Sequence, residues 1–170
     1  MRRINKTEKI VLIVYFCLLI FNYIVGFEKF QFNSNFGLIM FFTLFAPAFA
    51  VHTSPLGISM RKPLFSLIWL TISILILFIP YNHYDNFKLL FHRDSFPFML
   101  PITGFIYHHI IRQLYQTILK REPITLWVKG FQKEYINELN RLSDGYDVVF
   151  TLISFFGFFG IFIMIMIFSK

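Results

Sequence analysis

Five apolar stretches divide the chain, at residues 10–27, 36–51, 64–79, 96–111 and 148–168, and none of them contains Asp, Glu, Lys or Arg. Within them the apolar positions follow neither an alternating nor a one-sided pattern. The run Ile72-Ser73-Ile74-Leu75-Ile76-Leu77-Phe78-Ile79 is apolar all round. A bilayer core about 30 Å thick takes ~20 helical residues to cross. In hydrocarbon only helices and closed barrels satisfy their own backbone, and barrel strands would alternate polar and apolar positions. The pattern therefore predicts an all-α protein, a polytopic transmembrane helix bundle of about five spans, forming one integral membrane domain over residues 1–170.

Prolines set several boundaries. Pro63 stands just inside the start of the third stretch and Pro80 just after its end, so a helix is expected over 64–79 and no further. The fourth stretch is the least regular, with Pro97, Pro101 and Gly104 within its first nine residues. Its helix is expected to run on through Lys120, because Glu122-Pro123 is the first strong stop. The connections 28–35 and 52–63 are short, which predicts antiparallel neighbours. Residues 112–147 are the only sizeable polar segment. A short turn is expected over 123–129. Beyond Gly130, Phe131, Tyr135, Leu139 and Leu142 recur at helical spacing, which predicts an amphipathic helix lying in the interface, with Trp127 at headgroup depth.

Composition agrees with this picture. The chain is 56% hydrophobic, 21% aromatic and 15% charged, against about a quarter charged in soluble domains. That excludes an ordinary soluble domain and a disordered tail. The net charge of +7 does not make it a nucleic-acid-binding protein, since the cations flank apolar runs instead of forming one stripe. Lys and Arg instead orient the chain. With the N-terminus in the cytoplasm, segments 1–9, 52–63 and 112–147 lie inside and hold twelve of the sixteen Lys and Arg. The C-terminus is then outside. The tracts Phe41–Pro63 and Pro101–Lys129 have a bacterial, low-GC character, so the expected location is the cytoplasmic (inner) membrane of a bacterium, multi-pass. The first stretch has 18 residues and offers no pair of small residues at its far end, Tyr23 to Lys29, which reads as an uncleaved signal anchor.

Candidate chemistry is sparse. His52 follows the second stretch, and His108 and His109 close the fourth. Imidazoles on facing helices can ligate haem or contact a quinone; the plain alternative is a ring at headgroup level. His108 and Arg112 share a helix face and are expected to meet lipid phosphate. His83, Asp85, His92 and Asp94 are competent zinc ligands, but their spacing matches no closed site, and an ordinary solvated loop is the simpler reading. The tripeptide His92-Arg93-Asp94 occurs without any other kinase feature. Ser154, Gly157 and Gly160 recur every three residues and allow close helix approach, within the bundle or to a partner. Asn22 is expected either to bond a neighbouring helix or to reach the interface beside Tyr23. Cys17, the sole cysteine, is expected as an inert buried thiol. Asn5-Lys6-Thr7 matches a glycosylation acceptor on the wrong side of the membrane for that modification.

No catalytic residue, metal site or cofactor is assigned. The expected role is a small, non-enzymatic membrane subunit, with lipid and other membrane proteins or further copies of itself as partners. Two alternatives stand beside it. One is an oligomeric channel or membrane-permeabilising protein, with Thr71, Ser73, Thr103 and Ser154 lining a pore. The other is a redox or enzyme subunit using the histidines.

Overall fold

The protein, as a computed structural model, is described over residues 4–26, 35–52, 54–83, 96–124 and 143–168. Six helices and no strands occur among the described residues. They are α1 (Lys6–Gly26), α2 (Asn35–Ala50), α3 (Ser54–Ser59), α4 (Pro63–His83), α5 (Phe96–Leu119) and α6 (Gly145–Phe168).

The helix ends follow from local chemistry. The Asn5 side chain accepts from the Glu8 backbone N–H at 2.8 Å, and Glu8 accepts from the Asn5 N–H at 2.8 Å. This reciprocal cap starts α1 ahead of the expected boundary. Asp144 and Asp147 make the same exchange at the start of α6, the Asp144 N–H donating at 3.1 Å and the Asp147 N–H at 3.2 Å. Pro63 is the first residue of α4, where its missing N–H costs nothing. Pro80 does not end α4, contrary to expectation, and the helix continues to His83. A proline near the last turn forfeits one backbone bond, which a long helix tolerates. At the end of α5, Lys120 adopts φ 55° while its N–H still bonds the Gln116 carbonyl at 2.9 Å. That left-handed residue turns the chain back, so that Glu122 reaches α5 again.

Cross-contacts fix the directions of the helices. Tyr15 stacks on Trp69 with ring centroids 4.1 Å apart and bonds Ser73 at 3.1 Å, while Glu8 meets Ser59 and Lys62. Hence α1 and α4 run parallel. Asn22 accepts from Thr43 at 3.0 Å, bringing the far end of α1 against α2. Phe49 packs on Phe155 and Phe159, and Phe41 on Phe162, so α2 and α6 are antiparallel. Tyr107 reaches the Ile153 carbonyl and Tyr115 reaches Asp147, so α5 and α6 are antiparallel as well. The starts of α1, α4 and α6 therefore share one end of the bundle with the finishes of α2 and α5.

Helix α5 sits at the centre, against α2, α4 and α6. Two glycines permit its close contacts. A Cβ at Gly104 would lie 2.9 Å from the Ala48 carbonyl oxygen, so only glycine lets α5 approach the α2 backbone this closely. A Cβ at Gly157 would fall 1.7 Å from the Tyr107 hydroxyl, so that side chain occupies the missing volume.

Among the described residues, two helical stretches are long and apolar enough to cross a membrane, Lys6–Ile24 and Gly145–Met164. Only 22% and 28% of them is buried, whereas a core helix of a soluble protein would be mostly buried. Two shorter apolar stretches, Phe41–Ala50 and Pro63–Ile79, fall below the required length. The five expected crossings thus reduce, by length and hydropathy alone, to two helices that suggest association with a membrane. The difference has local causes: α2 is 16 residues long, and α5 carries His108, His109 and Arg112 along its second half.

Candidate functional site: a buried polar layer

The end shared by the starts of α1, α4 and α6 holds a layer of charged and polar side chains, of which Glu8 and Asp147 are buried and most of the others partly buried. Glu8 is 4% exposed. Its carboxylate accepts from Ser59 at 2.8 Å and pairs with Lys62 at 2.7 Å. The cap of α1 is thereby tied to the end of α3 and the start of α4.

A second group surrounds Glu122. Arg112 donates to it through two nitrogens, at 2.7 and 3.0 Å, Arg61 approaches to 3.6 Å, and Gln116 also donates. Arg61 in turn donates to the Pro123 carbonyl at 2.7 Å. Burial is the largest single influence on the Glu122 carboxyl and pushes its pKa up. The Arg112 hydrogen bonds, the charges of Arg61 and Arg112, and the Gln116 bond together outweigh it and hold the group below the ordinary carboxylate value.

The third group centres on Asp147, which is fully buried. Asp147 accepts from the Tyr115 hydroxyl and from the Ile124 backbone N–H, both at 2.8 Å. Arg121 pairs with Asp144 and lies over the Tyr146 ring. Together the second and third groups fasten residues 120–124 onto the α3–α4 turn, α5 and the start of α6. Within the layer four cations (Arg61, Lys62, Arg112, Arg121) meet four carboxylates (Glu8, Glu122, Asp144, Asp147), so its formal charge balances.

Beside these groups the three histidines come together. His52 bonds Ser154 through Nδ1 at 2.8 Å. Its ring meets His108 edge-on at a centroid distance of 5.7 Å, and His108 meets His109 at 5.7 Å. His109 bonds Ser66 at 3.2 Å. Helix α3 approaches the cluster through Gly57, where a Cβ would lie 3.5 Å from the His108 ring. His52 and His108 are 2% and 3% exposed, so neither sits at a wet headgroup level. Among the described residues, His52 Nε2 and both nitrogens of His108 find no hydrogen-bond partner. A neutral imidazole offers one donor and one acceptor, and each buried group left unpaired costs about 1–3 kcal/mol. The arrangement can bond a small polar molecule. Among the described residues, no three His, Cys, Asp or Glu side chains converge as a metal site.

Other expectations resolve differently. Arg112 is engaged by Glu122 instead of lipid phosphate, because the turn at Lys120 returns a carboxylate to it. Asn22 is buried and bonds across to Thr43, the first of its two expected readings. Ser154 and Gly157 pack within the bundle, whereas a Cβ at Gly160 would meet nothing within 4 Å. Cys17 is exposed, not buried, since α1 turns Leu12, Tyr15 and Asn22 toward its neighbours and Cys17 lies off that face. The amphipathic stripe 131–142 and the loop residues Asp85, His92 and Asp94 lie outside the described residues, and His83 is described only as the last residue of α4.

The anchoring roles of Glu8, Glu122 and Asp147 were missed by sequence reasoning. Their signal was present for two of them: Asn5…Glu8 and Asp144…Asp147 each place a capping pair three apart ahead of an apolar run. The chain matches no protein-family model, and no curated protein or solved structure is detectably similar to it.

Proposed function

We propose that this chain is a five-span integral subunit of the cytoplasmic membrane, with its N-terminus inside and its C-terminus outside, which works by packing against other membrane proteins or further copies of itself. The alternation of helix direction along α1, α2, α4, α5 and α6 supports that topology. So does the polar layer, which gathers Arg61, Lys62, Arg112 and Arg121 at the end the positive-inside rule assigns to the cytoplasm.

The observation that carries the docking role is the outer face of α6. Val149, Ile153, Phe156, Ile163 and Ile167 are all exposed along it, and Gly160 opens a notch in their midst. Such a small-residue notch on a long apolar helix lets a second helix approach closely in lipid. The pore alternative has less support, because the hydroxyls it would need are engaged. Thr71 bonds the Leu67 carbonyl, Thr103 the Met99 carbonyl, Ser73 bonds Trp69 and Tyr15, and Ser154 bonds His52.

The test is native mass spectrometry of the protein released gently from its own membrane, combined with accessibility labelling of cysteines placed at the two termini. Retention of a partner or of further copies, with termini on opposite sides, is the expected result. A monodisperse monomer, or both termini in one compartment, would overturn the reading. A second reading, a ligand-binding or redox subunit, is favoured by the unpaired nitrogens of His52 and His108. A visible absorption spectrum and metal analysis of the purified protein decide it.

A further inference from the structure

A groove of about 620 Å³ runs between α1 and α4 on the outside of the bundle, lined by Leu12, Phe16, Leu67, Leu75 and, at one end, Lys9. Thr71 also borders it, but its hydroxyl is turned onto the Leu67 carbonyl, so the wall is apolar in effect. The groove extends from Ile4, just ahead of α1, to Phe16 within it. The ten helical steps from Lys6 to Phe16 span ~15 Å, matching the ~15 Å of hydrocarbon in one leaflet. The charged residue stands at the mouth and the deep end is wholly apolar.

Lys9 differs from the cations of the polar layer. Arg61, Lys62, Arg112 and Arg121 are each held by a carboxylate, whereas Lys9 is exposed and has no ion-pair partner among the described residues. An ammonium at the mouth of a slot one leaflet deep complements a lipid with a negative headgroup and a straight chain. We infer that the α1–α4 groove is a binding site for one anionic phospholipid of the inner leaflet, its acyl chain lying between Leu12 and Leu67 and its phosphate meeting Lys9. This deepens the membrane reading above and rests on its orientation of the chain.

The experiment uses the full chain in nanodiscs of mixed phosphatidylglycerol and phosphatidylcholine, with the lipids retained on release counted by native mass spectrometry. The wild-type protein is expected to keep one phosphatidylglycerol with about fivefold preference, the worth of one cation near an anionic headgroup. Lys9→Gln should keep a lipid but lose the preference. Leu67→Trp, at a 60% exposed position on the groove wall, should lose the retained lipid of either kind while folding normally. Inorganic phosphate added in excess should not compete, because the chain contributes binding as well as the headgroup. Equal retention of the two lipids by the wild type, or an unchanged preference in Lys9→Gln, would overturn the site while leaving membrane insertion intact. Failure to enter nanodiscs at all would overturn the membrane reading and this site with it.

Discussion

His52 and Ser154 lie 102 residues apart in the chain, yet the imidazole Nδ1 and the hydroxyl oxygen meet at 2.8 Å. This bond joins the end of α2 to the middle of the exposed, apolar α6. Among the described residues it is the one hydrogen bond of a histidine otherwise enclosed by the rings of Tyr107, His108 and Phe158. Replacing Ser154 with Ala should therefore leave both His52 nitrogens unpaired. The expected loss is about 1–3 kcal/mol, read as a lower unfolding midpoint in detergent. Ser154→Thr, which retains the hydroxyl, should recover part of it. An unchanged midpoint in Ser154→Ala would mean that the bond contributes nothing.

Gly157 and Gly160 are three residues apart and should respond differently to the same change. At Gly157 an added methyl collides with the Tyr107 hydroxyl, which must then abandon its 2.7 Å bond to the Ile153 carbonyl. Gly157→Ala is expected to destabilise the fold by about 1–3 kcal/mol. Gly160→Ala should leave the isolated chain within about 0.5 kcal/mol of wild type, and its effect should fall on partner retention. Thermal unfolding of the two variants side by side checks the contrast, and equal losses would refute it.

Asn22 and Thr43 provide the polar link between α1 and α2. Interhelical bonds of this kind contribute roughly 0.6–2 kcal/mol in membrane proteins. A double-mutant cycle with Asn22→Leu and Thr43→Val should give a coupling energy in that range. Additive single effects would show that the two side chains act separately.

Acid should weaken the attachment of residues 120–124. The Glu122 carboxyl has a folded pKa below its ordinary value of 4.5. The unfolded chain therefore binds more protons between the two values, and the stabilisation from Glu122 is complete above the higher one and lost as pH falls through the lower. Between roughly pH 6 and 8 this group should contribute no slope. Proteolysis at Arg121, followed as a function of pH, is expected to accelerate only in the acid range. In Glu122→Gln the cleavage should be faster at neutral pH and flatter toward acid. A wild-type profile already flat below pH 5 would count against the assignment.

The all-helical character was legible because each apolar stretch is uniformly lipophilic, a property of neighbouring residues. Its finer layout depends on encounters between distant residues. Nothing near His52 announces Ser154, and nothing near Arg112 announces that a left-handed Lys120 will fold Glu122 back onto it. The course of α4 through Pro80 went the other way from expectation, since a proline's local preference yields to a long helix already formed around it. The exposure of Cys17 depends on which face of α1 turns toward α4, and that face is chosen by Tyr15 stacking on Trp69. Helix starts were the most recoverable detail, because a cap is a pattern of four consecutive residues.

The pairing of Glu8 with Lys62 has a consequence for biosynthesis. Glu8 leaves the ribosome 54 residues ahead of its counter-ion. Until Lys62 has been translated, that carboxylate lacks the counter-ion it meets in the folded protein. The cap of α1 can thus form early, while its seating against Lys62 waits for the segment that follows α3.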